Sequence, residues 1–138
     1  MLRCMAIDDE PLALELLEDN ISKVPYLHLI ASCSNPLEAM KILQEQSVDL
    51  IFLDIQMPKI TGFEMLELLD QPPSVIFTTA FDEFAIKAFE AHAVDYLLKP
   101  FSKERFDKAV NKWLEQQSTV PAGNTKQLLD TAAQSPSQ

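Results

Sequence analysis

Short apolar runs alternate along the chain with longer segments in which apolar residues recur every three or four positions. The runs have the length of strands, and several are apolar throughout, as burial on both faces of a sheet requires. We predict five strands, each followed by a helix, at residues 3–7, 28–33, 50–53, 75–79 and 95–98. This alternation predicts an α/β fold in which repeated βα units form a parallel sheet.

Capping residues and prolines define the predicted helix boundaries. Pro11 is expected to open the first helix, and Glu64 follows Thr61 at the spacing of a capping box. N-caps are predicted at Asn35, Thr61, Asp82 and Ser102. The segment AHAV before the fifth strand contains no glycine, which favours a turn without positive φ. The last helix is predicted to bury one apolar face, formed by Phe106, Ala109, Val110 and Trp113.

Composition narrows the class of protein. A chain of 138 residues with 47% hydrophobic residues suits one domain. We predict that domain over residues 1–116, followed by a linker or tail over 117–138 that is partly disordered, with a short helix near residues 125–133. Cys4 and Cys33 lie in apolar segments and are expected to be reduced core thiols.

Charge and hydropathy exclude several partners. The 21 acidic residues outnumber the 11 basic ones and give a net charge of −10, which opposes binding to nucleic acid or anionic lipid by this chain. Its apolar runs are shorter than the roughly 20 residues that a membrane span needs. The N-terminal segment becomes acidic before a secretory signal could form. We therefore expect a cytoplasmic protein that does not bind membranes.

Polar residues cluster where the predicted strands end. In an open parallel sheet, ligands bind at the carboxyl ends of the strands. These ends carry three acids, two hydroxyls and one ammonium group: Asp8, Asp9, Asp54, Thr78, Thr79 and Lys99. Three neighbouring carboxylates repel one another unless cations compensate, and oxygen-only ligands favour Mg²⁺, or alternatively Mn²⁺, over zinc. With a metal and Lys99 neutralising an incoming phosphoryl group, Asp54 could act as the nucleophile and form an aspartyl phosphate.

Each of these residues also has an ordinary structural explanation. The acids before Pro11 could interact with the dipole of the first helix, and Asp54 could be a turn residue at a strand end. The Thr79 hydroxyl could bond to the backbone, and Lys99 could extend along the surface to water. Taken singly, these explanations are adequate. The collection of all the charges at one edge of the sheet favours the functional interpretation.

Four segments together resemble the receiver domain of bacterial two-component response regulators: IDDEP, FLDIQMPKITGFEML, VIFTTAFDEFA and AVDYLLKPF. The resemblance covers residues 1–116. It implies a flavodoxin-like (CheY-like) doubly wound sheet of five parallel strands in the order 2-1-3-4-5, with five helices. The segment FDEFAIKAFEAHAVDYLLKPF further resembles receivers that precede a DNA-binding domain of the LytTR (LytR/AlgR) type.

The resemblance implies a role for each matching residue. Asp54 would be the phosphoacceptor, and Mg²⁺ would be held by Asp9, Asp54 and the backbone carbonyl of Gln56, with Asp8 acting partly through water. Thr79 and Lys99 would bind phosphoryl oxygens, and Ala80 would leave room for them. Tyr96 would change rotamer on activation, and Pro100 would follow a cis peptide bond. Thr78 is expected on the opposite face of the strand, and Glu10 receives no role.

The implied partners are a sensor histidine kinase and, after phosphorylation, a second copy of the chain. Dimerisation would use the face of helix four, strand five and helix five, where Phe84, Ala85, Ala88 and Phe89 could form an exposed patch or part of the core. DNA would be bound only through a separate effector domain. The domain would hydrolyse its own aspartyl phosphate slowly, with Phe81 shielding it, and would not turn over external substrates.

Three alternatives are weighed against this interpretation. A stand-alone receiver acting through protein contacts would have the same sequence features. A phosphatase of the haloacid dehalogenase type would need a second Asp two residues after the nucleophile, where Gln56 stands. A flavodoxin-like FMN carrier would need a phosphate-binding loop after the first strand, where acids stand.

Overall fold

Five parallel strands form a single sheet in a computed structural model that describes residues 1–118. The strand order is β2-β1-β3-β4-β5, which confirms the predicted topology. Each strand lies within one residue of its predicted bounds: β1 Leu2–Ile7, β2 Leu27–Cys33, β3 Leu50–Asp54, β4 Ser74–Thr79 and β5 Asp95–Leu98. The predicted short helix near residues 125–133 lies outside the described residues.

Five α-helices connect and follow the strands: α1 Pro11–Ser22, α2 Pro36–Glu45, α3 Gly62–Leu68, α4 Ala85–Glu90 and α5 Lys103–Ser118. The predicted caps at Asn35, Thr61 and Ser102 are present, and Thr61 and Glu64 form a reciprocal capping box. Helix α5 continues two residues beyond position 116. Within the described part of the chain, no helix is long and apolar enough to cross a membrane.

The predicted cap at Asp82 is wrong. Asp82 is the first residue of a 3₁₀ turn, Asp82–Phe84, which leads directly into α4. Phe81 precedes this turn, and no side-chain hydrogen bond caps it among the described residues. The acid therefore lies inside the first turn, where it can still interact with the helix dipole, and does not bond to the backbone ahead of it.

The turn before β5 also differs from the prediction, because His92 has a φ of 60°. The Ala93 N–H donates to the carbonyl of Ala88, and the His92 N–H donates to that of Phe89. These two bonds form a Schellman motif, which ends α4 with one left-handed residue. Glycine commonly fills this position, so the absence of glycine from the segment did not indicate the absence of the left-handed turn.

Two apolar layers enclose the sheet. One layer joins α1 and α5 to the sheet and contains the predicted apolar face of α5: Phe106, Ala109, Val110 and Trp113, all buried. The other layer packs the opposite face of the sheet against α2, α3 and α4. Cys4 and Cys33 are buried and unbridged, and burial raises the pKa of these thiols to about 12 and about 11, as expected for inert core residues.

The strand register brings the predicted polar residues to one edge. Ile7 pairs with Leu53 across β1 and β3, so Asp8 lies level with Asp54. Asp54 in turn pairs with Thr78 on β4, and Thr79 pairs with Leu98, the last residue of β5. Side chains from four separate segments therefore meet where the strands end.

Candidate functional site

Asp54 ends the central strand of the sheet and is only 4% exposed. All five residues of β3 are buried, because β1 and β4 flank the strand and helices cover both of its faces. The chain after β3 folds back so that the Gly62 N–H donates to the carbonyl of Ile55. This loop closes over the strand end and fixes the carboxylate at its edge.

Three aspartates lie close enough to share one ion. One carboxylate oxygen from each of Asp8, Asp9 and Asp54 lies within 4.8 Å of the other two. Asp8 is fully buried, and its Oδ1 accepts a hydrogen bond of 2.9 Å from the Glu10 N–H. Asp9 is partly exposed. The cluster therefore has a buried, fixed acid at its base and a more accessible acid at its rim.

The electrostatics of Asp54 reflect this crowding. Its pKa is raised from 3.8 to about 8, chiefly by burial and also by repulsion from Asp8, while attraction to Lys99 partly offsets this rise. A hydrogen bond with Asp9 also favours the protonated form. The single nearby ammonium does not balance the three acids, so the site favours an additional cation.

Lys99 projects into the cluster from the residue after β5. Its N–H donates to the Thr79 carbonyl at 2.7 Å, which continues the sheet, and the Lys99–Pro100 peptide bond is cis. The Nζ atom lies 2.7 Å from Asp8 Oδ2 and 3.5 Å from Asp54 Oδ1. Burial alone would lower the pKa of Lys99, but its bond to Asp8 and its attraction to Asp54 raise the pKa above the ordinary value. Lys99 is therefore held in its charged form.

Glu10 is a site residue that the resemblance to receiver domains left without a role. Its Oε1 lies 3.4 Å from the Nζ of Lys99. The side chain is 66% exposed, in contrast to the buried Asp8. Its position directly after two strand-end acids was visible in the sequence, but the reach of its side chain to Lys99, 89 residues away, was not.

A cleft of about 250 Å³ opens above Asp54. It brings together most of the predicted site residues, and its lining comprises Asp9, Glu10, Asp54, Gln56, Thr79, Ala80, Phe81 and Lys99. The Thr79 hydroxyl accepts a 3.2 Å hydrogen bond from the Phe81 N–H, so its own proton remains available to donate. Ala80 is exposed at the rim.

Thr78 and Tyr96 lie outside this cleft. Thr78 lines a separate cavity beside α1, and its buried hydroxyl has no hydrogen-bond partner within residues 1–118. The Tyr96 hydroxyl donates to the carbonyl of Phe81, which joins β5 to the loop after β4. Tyr96 is therefore linked to the site through that loop.

The residues of the acid cluster suit a magnesium ion. They offer only oxygen atoms, which hard divalent cations prefer, and they come from two adjacent strand ends. Carboxylates packed this closely repel one another, and this repulsion contributes, after burial, to the raised pKa of Asp54. The open cleft leaves room for water or a phosphate oxygen to complete the coordination of such an ion.

Known proteins are similar to this chain in sequence and in fold. The chain is 42% identical over 120 residues to the transcriptional regulatory protein BtsR of Salmonella typhimurium, a match that covers 86% of this chain and 50% of BtsR. The chain thus spans about half the length of the curated relatives it matches.

Two solved structures superpose on most of the chain. The response regulatory domain of mrkE from Klebsiella pneumoniae matches with a TM-score of 0.74 at 32% identity, covering 80% of this chain and 93% of that one. The response regulator TrrA of Thermotoga maritima, solved in complex with Mg²⁺–BeF, matches with a TM-score of 0.71 at 28% identity, covering 81% and 98% of the two chains. Residues 4–111 match the response regulator receiver domain, and the chain therefore belongs to the receiver domains of response regulators.

Proposed function

We propose that this domain accepts a phosphoryl group on Asp54 in a reaction that depends on Mg²⁺. The observation that carries the proposal is the placement of one buried carboxylate at the base of an open cleft. Asp8 and Asp9 lie beside Asp54 within reach of one metal ion, the Lys99 Nζ lies 3.5 Å from the Asp54 Oδ1, and Thr79 lines the same cleft. An aspartyl phosphate formed there would have a metal site, an ammonium group and a hydroxyl close to its oxygens.

The chemical step is a transfer between two nucleophiles. An Asp54 carboxylate oxygen attacks phosphorus and forms a new O–P bond while the bond from phosphorus to the donor breaks. The donor leaves with the electron pair of that bond; for the proposed sensor histidine kinase, the leaving group is the imidazole of a phosphohistidine. Response regulator receivers are phosphoacceptors and not a family of multiple-turnover enzymes. We infer that slow hydrolysis of the aspartyl phosphate resets this one, with Phe81 at the cleft rim limiting access of water.

Four groups would hold the metal. Asp9, Asp54 and the main-chain carbonyl of Gln56 would coordinate it directly, and the buried Asp8 would act partly through water. When bound, Mg²⁺ supplies positive charge that offsets the carboxylates and the phosphoryl oxygens. Receiver domains bind Mg²⁺ through an acidic pocket, and the related TrrA was solved with Mg²⁺–BeF. This supports the same ion here, with Mn²⁺ as a possible substitute.

Thr79 and Lys99 would convert phosphorylation into a change of shape. Moving a two-state equilibrium from 1:99 to 99:1 takes about 5.5 kcal/mol. Hydrogen bonds to a charged group contribute roughly 1.5 to 3 kcal/mol each, so two such contacts approach that value. Movement of the loop after β4 would break or remake the bond between the Tyr96 hydroxyl and Phe81, and Tyr96 would then repack. Ala80 at the rim would leave room for the phosphoryl oxygens.

The output is proposed to be dimerisation and, through it, transcription. A relative twice as long is a transcriptional regulatory protein, and the match covers only half of it. We infer a DNA-binding effector domain of the LytTR type outside this chain, on the resemblance of residues 81–101. A stand-alone receiver is the alternative, and sequencing of the surrounding reading frame separates the two.

Intact mass spectrometry tests the acceptor directly. Wild type and Asp54→Asn are incubated with acetyl phosphate, with Mg²⁺ or with EDTA. We expect a mass gain of one phosphoryl group only for wild type with Mg²⁺. If Asp54→Asn gained the same mass, the phosphoacceptor would be a different residue. If wild type gained mass in EDTA, phosphorylation would not depend on Mg²⁺.

A further inference from the structure

Lys99 contacts three carboxylates, and these are not equivalent. Its Nζ lies 2.7 Å from Asp8, 3.4 Å from Glu10 and 3.5 Å from Asp54. Asp8 is fully buried and is fixed by the Glu10 N–H, so it cannot turn away. Asp54 would itself carry the phosphoryl group. Glu10 is the contact that Lys99 can give up.

The surroundings of Glu10 make this exchange easy. Its side chain is 66% exposed, so releasing Lys99 leaves the carboxylate in water. The side chain makes no capping hydrogen bond to α1, although Glu10 occupies the N-cap position. Glu10 and Lys99 together line both the cleft above Asp54 and a cavity of about 320 Å³ beside α1. The glutamate therefore has free space on two sides.

We propose that Glu10 is a positioning residue that restrains Lys99 in the unphosphorylated domain and competes with the phosphoryl group for its ammonium. This inference rests on the proposed function of Asp54. A phosphoryl group on Asp54 would compete with Glu10 for Lys99, because hydrogen bonds to Asp8 and Glu10 hold the ammonium between these two acids. Glu10 thereby favours the unphosphorylated state and opposes the binding of a phosphoryl group or its mimics.

The size of the effect follows from the exposure of the pair. Exposed ion pairs contribute about 0.2 to 1 kcal/mol. Because the Lys99 side chain is only 17% exposed, we take the upper part of this range, about 0.4 to 1 kcal/mol, which corresponds to about a twofold to fivefold change in an equilibrium constant. Removing the contact should therefore strengthen the binding of a phosphoryl mimic by about twofold to fivefold. Glu10 could also weaken binding simply because its negative charge repels the phosphoryl mimic. That repulsion would depend on ionic strength, and other acids near the cleft would contribute to it in the same way.

Three variants of the full chain separate contact from charge. Glu10→Gln removes the negative charge and leaves, at most, a neutral hydrogen bond in place of the ion pair with Lys99. Glu10→Asp keeps the charge but shortens the side chain, and aspartate is also a favoured N-cap residue that would turn toward α1. Glu15→Gln is the matched control, because Glu15 is exposed on α1 and loses the same charge.

Fluoroberyllate serves as the phosphoryl mimic, and its affinity for each variant is measured by calorimetric titration at saturating Mg²⁺. We expect Glu10→Gln and Glu10→Asp to bind about twofold to fivefold more tightly than wild type, with Glu15→Gln unchanged. The inference is overturned if Glu10→Asp matches wild type, or if Glu15→Gln shifts as much as Glu10→Gln. Failure of the proposed function is distinct, because wild type itself would then gain no phosphoryl mass from acetyl phosphate.

Discussion

At the scale of single residues, the buried Asp54 carboxylate weakens the fold that holds it. Burial and repulsion from Asp8 raise its pKa to about 8. In the unfolded chain the carboxyl group ionises near pH 4, whereas in the folded domain it holds its proton up to about pH 8. The unfolded state is therefore favoured increasingly as pH rises through this range, at about 1.4 kcal/mol for each pH unit at most.

Asp54→Asn should consequently stabilise the domain in EDTA. We expect a gain of about 2 to 4 kcal/mol at pH 7 that shrinks toward pH 4, measured by urea unfolding. Mg²⁺ should reduce this difference in the free energy of unfolding, because it binds and stabilises the wild type. Asp19→Asn is the control, because it removes an exposed carboxylate and should shift stability by no more than about 0.5 kcal/mol. If the Asp54 variant and wild type were equally stable in EDTA, the pKa of Asp54 would not be raised in the folded domain.

Neighbouring threonines on β4 offer a second comparison at this scale. Thr79 lines the cleft, whereas the buried Thr78 hydroxyl lacks a partner among the described residues. Thr79→Val should weaken fluoroberyllate binding by about tenfold or more, because a hydrogen bond to a charged group is lost. Thr78→Val should leave binding unchanged and raise stability by up to about 1 kcal/mol. Calorimetry and urea unfolding test both variants, and equal binding losses would refute the distinction.

At the scale of elements, the loop from β3 to α3 holds the acceptor in place through Gly62. A Cβ atom added at Gly62 would lie 2.6 Å from the carbonyl oxygen of Asp54 and 3.3 Å from the Cα of Ile55. Both contacts are to backbone and cannot relax by a rotamer change. Lys59 in the same loop has a φ of 75°, which shows how tightly the chain turns there.

Gly62→Ala should therefore displace the end of β3 as well as destabilise the domain. We expect a loss of about 1 to 3 kcal/mol in urea unfolding, as for other overpacked sites. Magnesium affinity should fall as well, because one of its proposed ligands is moved. A variant that loses stability but binds Mg²⁺ with wild-type affinity would show that the loop supports the fold and not the site.

The end of α4 gives an element-scale prediction away from the site. His92 adopts the left-handed conformation in the Schellman motif, which costs about 1 to 2 kcal/mol for a residue with a Cβ atom. Glycine avoids this cost but loses about 0.5 to 1 kcal/mol through its freedom in the unfolded chain. His92→Gly should thus stabilise the domain by roughly 0.5 to 1 kcal/mol in thermal or urea unfolding. His92→Ala keeps the Cβ atom and should show no gain.

Strands and helices could be predicted from the sequence where a single periodicity of apolar residues determines them. Features that depend on contact between two distant segments, or on the end of a helix, could not. The strands and the apolar face of α5 were found because alternation and three-to-four spacing reflect burial directly. The rule that ligands bind at the carboxyl ends of parallel strands was enough to place Asp8, Asp54 and Lys99 near one another, without knowledge of the strand register. It could not find the contact of Glu10 with Lys99, which depends on side-chain reach across the sheet edge. The left-handed turn at His92 was missed because backbone conformation there is imposed by the helix end.

At the scale of the whole molecule, one group of exposed apolar residues lies on α4 and the neighbouring strand β5. Phe89 is 82% exposed and Ile86 is 75% exposed on α4, and Leu98 of the adjacent β5 is also exposed. By contrast, Ala88 is buried and Phe84 packs partly against the core. The apolar sequence of α4 therefore divides into a core side and an open side, which resolves the two interpretations left open by the sequence.

This open side is the proposed dimer face, and the charge of the chain sets how it should behave. Each copy carries a net charge of −10, so association is opposed by repulsion and must be driven by apolar contact. Salt screens the repulsion. We therefore expect the fluoroberyllate-bound domain to dimerise more strongly as ionic strength rises, measured by size-exclusion chromatography with light scattering.

Phe89→Ser tests whether this face forms the contact. Truncating a central aromatic residue in an interface commonly costs about 2 kcal/mol or more, so the dimer dissociation constant should rise at least about tenfold. Leu37→Ser is the matched control, because Leu37 is an exposed apolar residue on α2, the helix that follows the opposite edge strand. Fluoroberyllate affinity of the monomer should be unchanged in both variants, since neither residue lines the cleft. A dimer weakened equally by both substitutions would place the interface elsewhere on the domain.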